Sequence, residues 1–146
     1  LTIAQDADTP NINGDPTLIQ KALYHLIVNA IKYTPDGGRV ILRSYPIMMD
    51  KDVPGVEVSV QDTGIGVDAE QHELIFEKFY QVGDATVHSS GKTSFKGGGP
   101  GLGLAIVRGV ARAHGGKVWV KSSGHDEVNY TGSTFYLQLP IDPPTP

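Results

Sequence analysis

Leu18, Ile19, Ala22, Leu23, Leu26, Ile27, Ala30 and Ile31 recur at spacings of three and four, which commits this stretch of the chain to one amphipathic helix of about four turns. Asp15-Pro16 opens it, with Asp as N-cap and Pro at the first helical position, where a missing N–H costs nothing. Thr34-Pro35-Asp36-Gly37-Gly38 stops it and turns the chain. A helix with one apolar face must be covered by a second layer, and the following residues supply it. Arg39–Tyr45 is rich in Val and Ile and reads as a strand. Val56, Val58 and Val60 alternate with Glu57, Ser59 and Gln61, the pattern of a half-buried strand. Pro46–Gly55 between them reads as a loop.

Further on, Asp68-Ala69-Glu70-Gln71 has the form of a capping box and predicts a short helix carrying Leu74, Ile75, Phe76 and Phe79. Val82–Gly98 shows no periodicity and few large apolar residues, so it reads as a long loop of the kind that serves function. A second helix is expected over 101–114 with Gly115 as its C-cap, then two strands, Lys117–Ser122 and Ser133–Leu139, across a polar turn. Strands in two groups between helices, rather than in strict alternation, predict an α/β fold. We expect a two-layer sandwich with a mixed, mostly antiparallel sheet and its helices on one face. One domain is expected over residues 1–140, with the proline-rich 141–146 as a tail or linker.

Composition narrows the function classes. Twelve basic against sixteen acidic residues give a net charge of -4, and no Lys/Arg block stands out, which argues against a nucleic-acid partner. The absence of cysteine excludes a disulfide framework and a thiolate zinc site, and fits a reducing compartment. No apolar run approaches a membrane span and no signal peptide opens the chain. Because the sequence starts at Leu1 rather than Met, it reads as a piece of a longer protein.

Three islands carry the chemistry. His25, Asn29, Lys32 and Tyr33 sit at i, i+4, i+7 and i+8 and share one face of the first helix. A neutral Asn oxygen suits Mg²⁺, which takes few protein ligands and keeps waters and substrate phosphates. Lys32 can neutralise phosphate oxygens as a point charge, and Tyr33 can cover a purine ring. Asp62-Thr63-Gly64-Ile65-Gly66 follows a strand directly. A carboxylate there only accepts hydrogen bonds, which matches the exocyclic amine of adenine and rejects the carbonyl of guanine. Gly64 and Gly66 permit positive φ and close approach to a ligand. Gly99-Pro100-Gly101-Leu102-Gly103-Leu104 opens the second helix and presents backbone N–H groups at its positive end, where anions bind. Neither a dinucleotide fingerprint nor a P-loop fits these glycines.

Taken in this order, the islands resemble the N, G1 and G2 boxes of the ATP-binding domain of sensor histidine kinases. Phe76-Glu77-Lys78-Phe79-Tyr80 resembles the F box before that family's ATP lid. The resemblance runs from Gly14 to Pro140 and implies a Bergerat-type sandwich that binds ATP with Mg²⁺ on Asn29. It implies contacts to nucleotide from His25, Lys32, Tyr33, Asp62, Gly64, Ile65, Gly66 and Tyr80. It implies the same for Gly99, Gly101, Leu102, Gly103, Leu104 and Thr134, with Asn29 and Lys32 as the catalytic pair. Phe76 and Phe79 are expected in the core, anchoring the lid at one end.

Three positions depart from the family. His25 stands where a second Asn is common, Gln81 where Arg is common, and Pro100 where Thr is common. The implied activity is phosphoryl transfer from ATP to a histidine on a separate dimerisation domain of the same protein, and from there to a response regulator receiver domain. No membrane contact by this domain is implied, and the expected location is cytoplasmic, with a membrane anchor elsewhere in the parent chain left open. Two rivals share the fold: an ATP hydrolase, which would need a Glu where His25 stands, and a module that senses ATP without transferring phosphate.

Overall fold

The computed structural model describes residues 1–80 and 102–144. Five strands form one sheet: β1 (Thr2–Gln5), β2 (Val40–Met49), β3 (Val53–Asp62), β4 (Lys117–Lys121) and β5 (Ser133–Pro140). Their spatial order is β1-β2-β3-β5-β4, with β1 parallel to β2 and every other pair antiparallel. Helices α1 (Pro16–Lys32) and α2 (Gly103–Ala113) pack against one another and against the same face of the sheet. This is the expected α/β sandwich. Among the described residues no helix is long and apolar enough to cross a membrane.

The apolar stripe on α1 does what its spacing demands: Ala22, Leu26 and Ala30 are buried on β3, whose Val56, Val58 and Val60 point back at them. Phe135, Leu137 and Leu139 of β5 and Val107, Val110 and Ala111 of α2 complete one core. Asp15 caps α1 as expected, its Oδ1 accepting the N–H groups of Thr17 (2.9 Å) and Leu18 (3.1 Å). Such a cap is worth about 0.5–2 kcal/mol. At the other end the Thr34 hydroxyl donates to the Ala30 carbonyl at 2.7 Å, and Pro35 follows.

The helices run antiparallel, and one contact fixes their pairing. His114, buried at the end of α2, accepts the Asp15 N–H at Nε2 (3.0 Å), while its Nδ1 lies 2.9 Å from the Val110 carbonyl. Both bonds are satisfied together only by the neutral ring protonated at Nδ1. The sequence gives His114 as a helix end where a charged ring favours the dipole; the structure makes it a neutral clasp on the cap of α1. Asn13 joins the same place: its N–H donates to the Ile141 carbonyl (2.7 Å) and its amide to Asp142 (2.6 Å). Pro144 lies against Gly115. Residues 141–144, expected as a tail, therefore pack on the body of the domain.

Four expectations need correction. Pro46–Met49 continues β2 instead of opening a loop, because β1 pairs only with residues 41–44 and leaves the rest of β2 an edge, where proline is tolerated. The capping box does not form: Asp68 Oδ1 accepts the His125 N–H (2.8 Å), and single 3₁₀ turns at Ala69–Gln71 and Leu74–Phe76 replace the helix. Phe76 is buried and meets Phe135 edge-on, but Phe79 is 69% exposed, at a positive φ of 66°. Strand β1 was not foreseen: four exposed residues carry no alternation to read.

Candidate functional site

Asp62 is the last residue of β3 and is 4% exposed. Its Oδ1 accepts the Gly64 N–H (2.9 Å) and its Oδ2 the Ser133 hydroxyl (2.8 Å). Burial pushes its carboxyl above the ordinary Asp value, and the bonds from Ser133 and Gly64 oppose that shift. The Ser133 backbone N–H donates to the carboxylate as well, which leaves one acceptor position of about four for a ligand donor.

The native state thus retains the Asp62 proton over a window that starts near 3.8 and ends at the raised value, while the unfolded chain has lost it. The sign follows: this group's contribution to stability is full below that window and is lost as pH rises through it. Asp62→Asn cannot titrate. Its unfolding free energy minus that of the parent should climb across the window and then level, as urea unfolding at a series of pH values will read. A flat difference would mean that burial leaves this carboxyl unperturbed.

The turn after Asp62 is welded to α1. The Ile65 N–H donates to the Tyr33 carbonyl (3.1 Å), and a Cβ on Gly64 would stand 2.2 Å from that same oxygen. Gly66, at φ +76°, leaves no room either: a Cβ would lie 2.1 Å from the Gly124 carbonyl. The close approach expected of these glycines toward a ligand is therefore made toward protein backbone, and they set the position of Asp62 and Ile65. The 122–132 connection, read from sequence only as a polar turn, buttresses this segment. Asp126 N–H donates to the Ile65 carbonyl (2.7 Å), Gly132 N–H to the Gly64 carbonyl (2.9 Å), and Val67 N–H to the Ser122 hydroxyl (2.9 Å).

Asn29, Lys32 and Tyr33 lie half-buried on the last turns of α1, next to that turn. The Lys32 ammonium sits 5.3 Å from the Tyr33 ring centroid, and burial lowers its proton affinity while raising that of the Tyr33 hydroxyl. One turn earlier, the His25 ring faces the first residue of α2, with Nδ1 3.2 Å from where a Cβ on Gly103 would be. Leu102, Gly103 and Leu104 open α2, and Leu102 accepts the Ile106 N–H (2.9 Å). Tyr80 packs against the core, and Arg108 of α2 pairs with Glu77 at 3.6 Å. Gly99, Gly101, Pro100 and the expected lid from Gln81 to Gly98 lie outside the described residues.

Ser133, not Thr134, reaches Asp62; Thr134 is paired with Gln61 and Lys121 on the opposite face of the sheet. There it lines a cavity of about 470 Å³ with Gln61, Lys121 and His72 that also reaches Asp62 and Ser133, and to which neither helix contributes. The signal was available in the alternation: Ser133 shares parity with Phe135 and Leu137, which are core residues. Among the described residues, no group of three or more His, Cys, Asp or Glu is placed to hold a metal ion. The one metal donor expected from sequence is the neutral Asn29 amide.

Residues 14–143 match the family described as histidine kinase-, DNA gyrase B-, and HSP90-like ATPase. The chain is 38% identical over 131 residues to hybrid signal transduction histidine kinase D of Dictyostelium discoideum, covering 88% of this chain and 8% of that protein. It is 35% identical over 143 residues to the adaptive-response sensory kinase SasA of Rippkaea orientalis, covering 97% of this chain and 32% of that protein. A solved structure of the mycobacterial sensor histidine kinase MprB superposes with a TM-score of 0.74 at 29% identity, over 98% of this chain and 82% of that one. The chain thus spans a third or less of the length of these two relatives.

Proposed function

From the premise that this chain belongs to the histidine kinase-, DNA gyrase B-, and HSP90-like ATPase family, as a homologue of the ATP-binding catalytic domain of sensor histidine kinases, we propose that its cleft positions Mg-ATP for transfer to a histidine. The acceptor histidine lies on a separate dimerisation domain of the same protein, and a response regulator receiver domain takes the phosphoryl group from there. The observation that carries the reading is the buried Asp62, with one acceptor position left for a ligand, fixed beside the half-buried Lys32 and Tyr33 at the end of α1. Asp62 accepts from the adenine amine, while Ile65 and Tyr33 flank the base. Lys32 meets phosphate oxygens. The amides that open α2 hold the phosphate chain, and His25 supports them by hydrogen bonding.

Mg²⁺ on Asn29 supplies charge neutralisation when bound. Phosphoryl transfer needs mainly positioning and neutralisation, and these residues offer both. Helix α1 carries no Asp or Glu, so it holds no carboxylate to activate water, which favours transfer over hydrolysis. Calorimetry with ATP, ADP and GTP, and incubation with γ-labelled ATP, test the reading. The chain should bind both adenine nucleotides and reject GTP. It should not label itself, because His114 is buried in its clasp and the one His-Glu pair, His72-Glu73, lies between single 3₁₀ turns rather than on a helix, its ring 2.9 Å from the Val67 carbonyl. Stable stoichiometric self-labelling would overturn it.

Asn29→Ala should separate metal from base recognition. The Mg²⁺-dependent gain in ATP affinity should fall about tenfold, the scale on which metal sites respond to lost support. Metal-free ADP binding should survive. If the Mg²⁺ dependence persists undiminished, Asn29 is not the ligand.

A further inference from the structure

The sheet has a second face, turned away from α1 and α2, and its register writes out a surface. One row across it is Trp119, Tyr136, Ser59 and Arg43; the row on one side is Lys121, Thr134 and Gln61; the row on the other is Lys117, Gln138, Glu57 and Tyr45. On these rows three cations, Arg43, Lys117 and Lys121, meet one carboxylate, Glu57. Both Glu57 oxygens are engaged, one by the Tyr45 hydroxyl and one by the Gln138 amide at 2.9 Å. Asp50, solvent-exposed at the rim, stands 3.9 Å from Lys117. The chain as a whole carries -4, so this face is opposite in sign to the rest of the molecule.

Its centre is aromatic. Trp119 and Tyr136 stack with centroids 5.3 Å apart and planes at 17°. The Lys117 ammonium lies 5.1 Å from the Trp119 centroid and the Lys121 ammonium 5.9 Å from that of Tyr136. The ring faces are therefore taken, by one another and by ammonium groups. A platform for nucleic-acid bases needs open ring faces, so stacking of bases is disfavoured here. What remains on offer is a set of positive heads held over ring edges, beside the polar cavity lined by Lys121, Ser123, Thr134 and Gln61.

We propose that this outer face docks an acidic segment of a partner protein, whose carboxylates pair with Arg43, Lys117 and Lys121 while its apolar groups lie along Trp119 and Tyr136. Cationic heads in a fixed array select for charge and speed encounter with an acidic surface.

Trp119 is the single tryptophan of the chain and reports on the surface directly. A glutamate–tyrosine copolymer serves as the probe, with oligothymidylate and polylysine as comparisons. The copolymer should shift Trp119 emission saturably, and salt should weaken the effect. In anisotropy with labelled copolymer, the double variant Arg43→Glu, Lys117→Glu should bind at least about tenfold more weakly. Its ADP affinity should be unchanged, which shows that it is folded. Failure of the copolymer to move Trp119, or equal binding by the variant, overturns the proposal. Binding of oligothymidylate as tight as that of the copolymer would overturn it in favour of nucleic acid.

Discussion

Asp62→Asn is expected to weaken ADP and ATP by about one to two orders of magnitude at neutral pH. The carboxylate accepts the Gly64 N–H at Oδ1 and the Ser133 hydroxyl at Oδ2, and in the proposed complex it also accepts the nucleotide amine. Asn is nearly isosteric but has one acceptor oxygen. Gly64 N–H cannot reverse its role, so that oxygen must face it, and the NH₂ turns to Ser133 and the base. A donor then meets a donor where the purine binds. A buried polar group left mispaired costs about 1–3 kcal/mol, which converts to the stated loss. Calorimetry reads it, and unchanged ADP affinity in a folded variant removes Asp62 from the site.

Gly64→Ala is expected to cost more than binding alone. The new methyl would stand 2.2 Å from the Tyr33 carbonyl oxygen and 2.9 Å from Asp62 Oδ1. The first of these is backbone at the end of a helix and cannot swing aside. The turn must lift, and the bond from Ile65 N–H to Tyr33 goes with it. Overpacking of this kind destabilises by about 1–3 kcal/mol. Denaturant unfolding should show that loss, and ADP binding should fall with it, because Asp62 is moved relative to Lys32 and Tyr33. Native stability together with native affinity would mean that the turn is not held by this contact.

These two sites show what the sequence could and could not say. The helix stripe, its Asp15 cap and the valine alternation of β3 were legible because each is a local pattern with one physical outcome. Asp62 was legible by its place after a strand. Its partner was not: choosing Ser133 over Thr134 depends on which face of β5 meets β3, a tertiary fact that parity suggests only once Phe135 is known to be core. The glycines are a different case: Gly64 and Gly66 are crowded by the backbone carbonyls of Tyr33 and Gly124, tertiary neighbours that no sequence pattern announces. His114 failed for the same reason, since its acceptor role comes from Asp15, ninety-nine positions away. Capping at Asp68 failed because His125 competes for the same carboxylate.

The clasp at His114 and Asn13 also decides how the domain bears load. Residue 13, before α1, is tied to residues 141 and 142, after β5, by one hydrogen bond each. Tension applied across that tie stretches the knot itself and leaves the sheet slack. Helix α1 has seventeen residues, about 25 Å at the usual rise, and the knot is at one end of it with Asn29, Lys32 and Tyr33 near the other. Load between residues 13 and 142 is thus taken at the end of α1 away from Asn29, Lys32 and Tyr33, whereas a pull on residue 1 falls on β1 at the edge of the sheet.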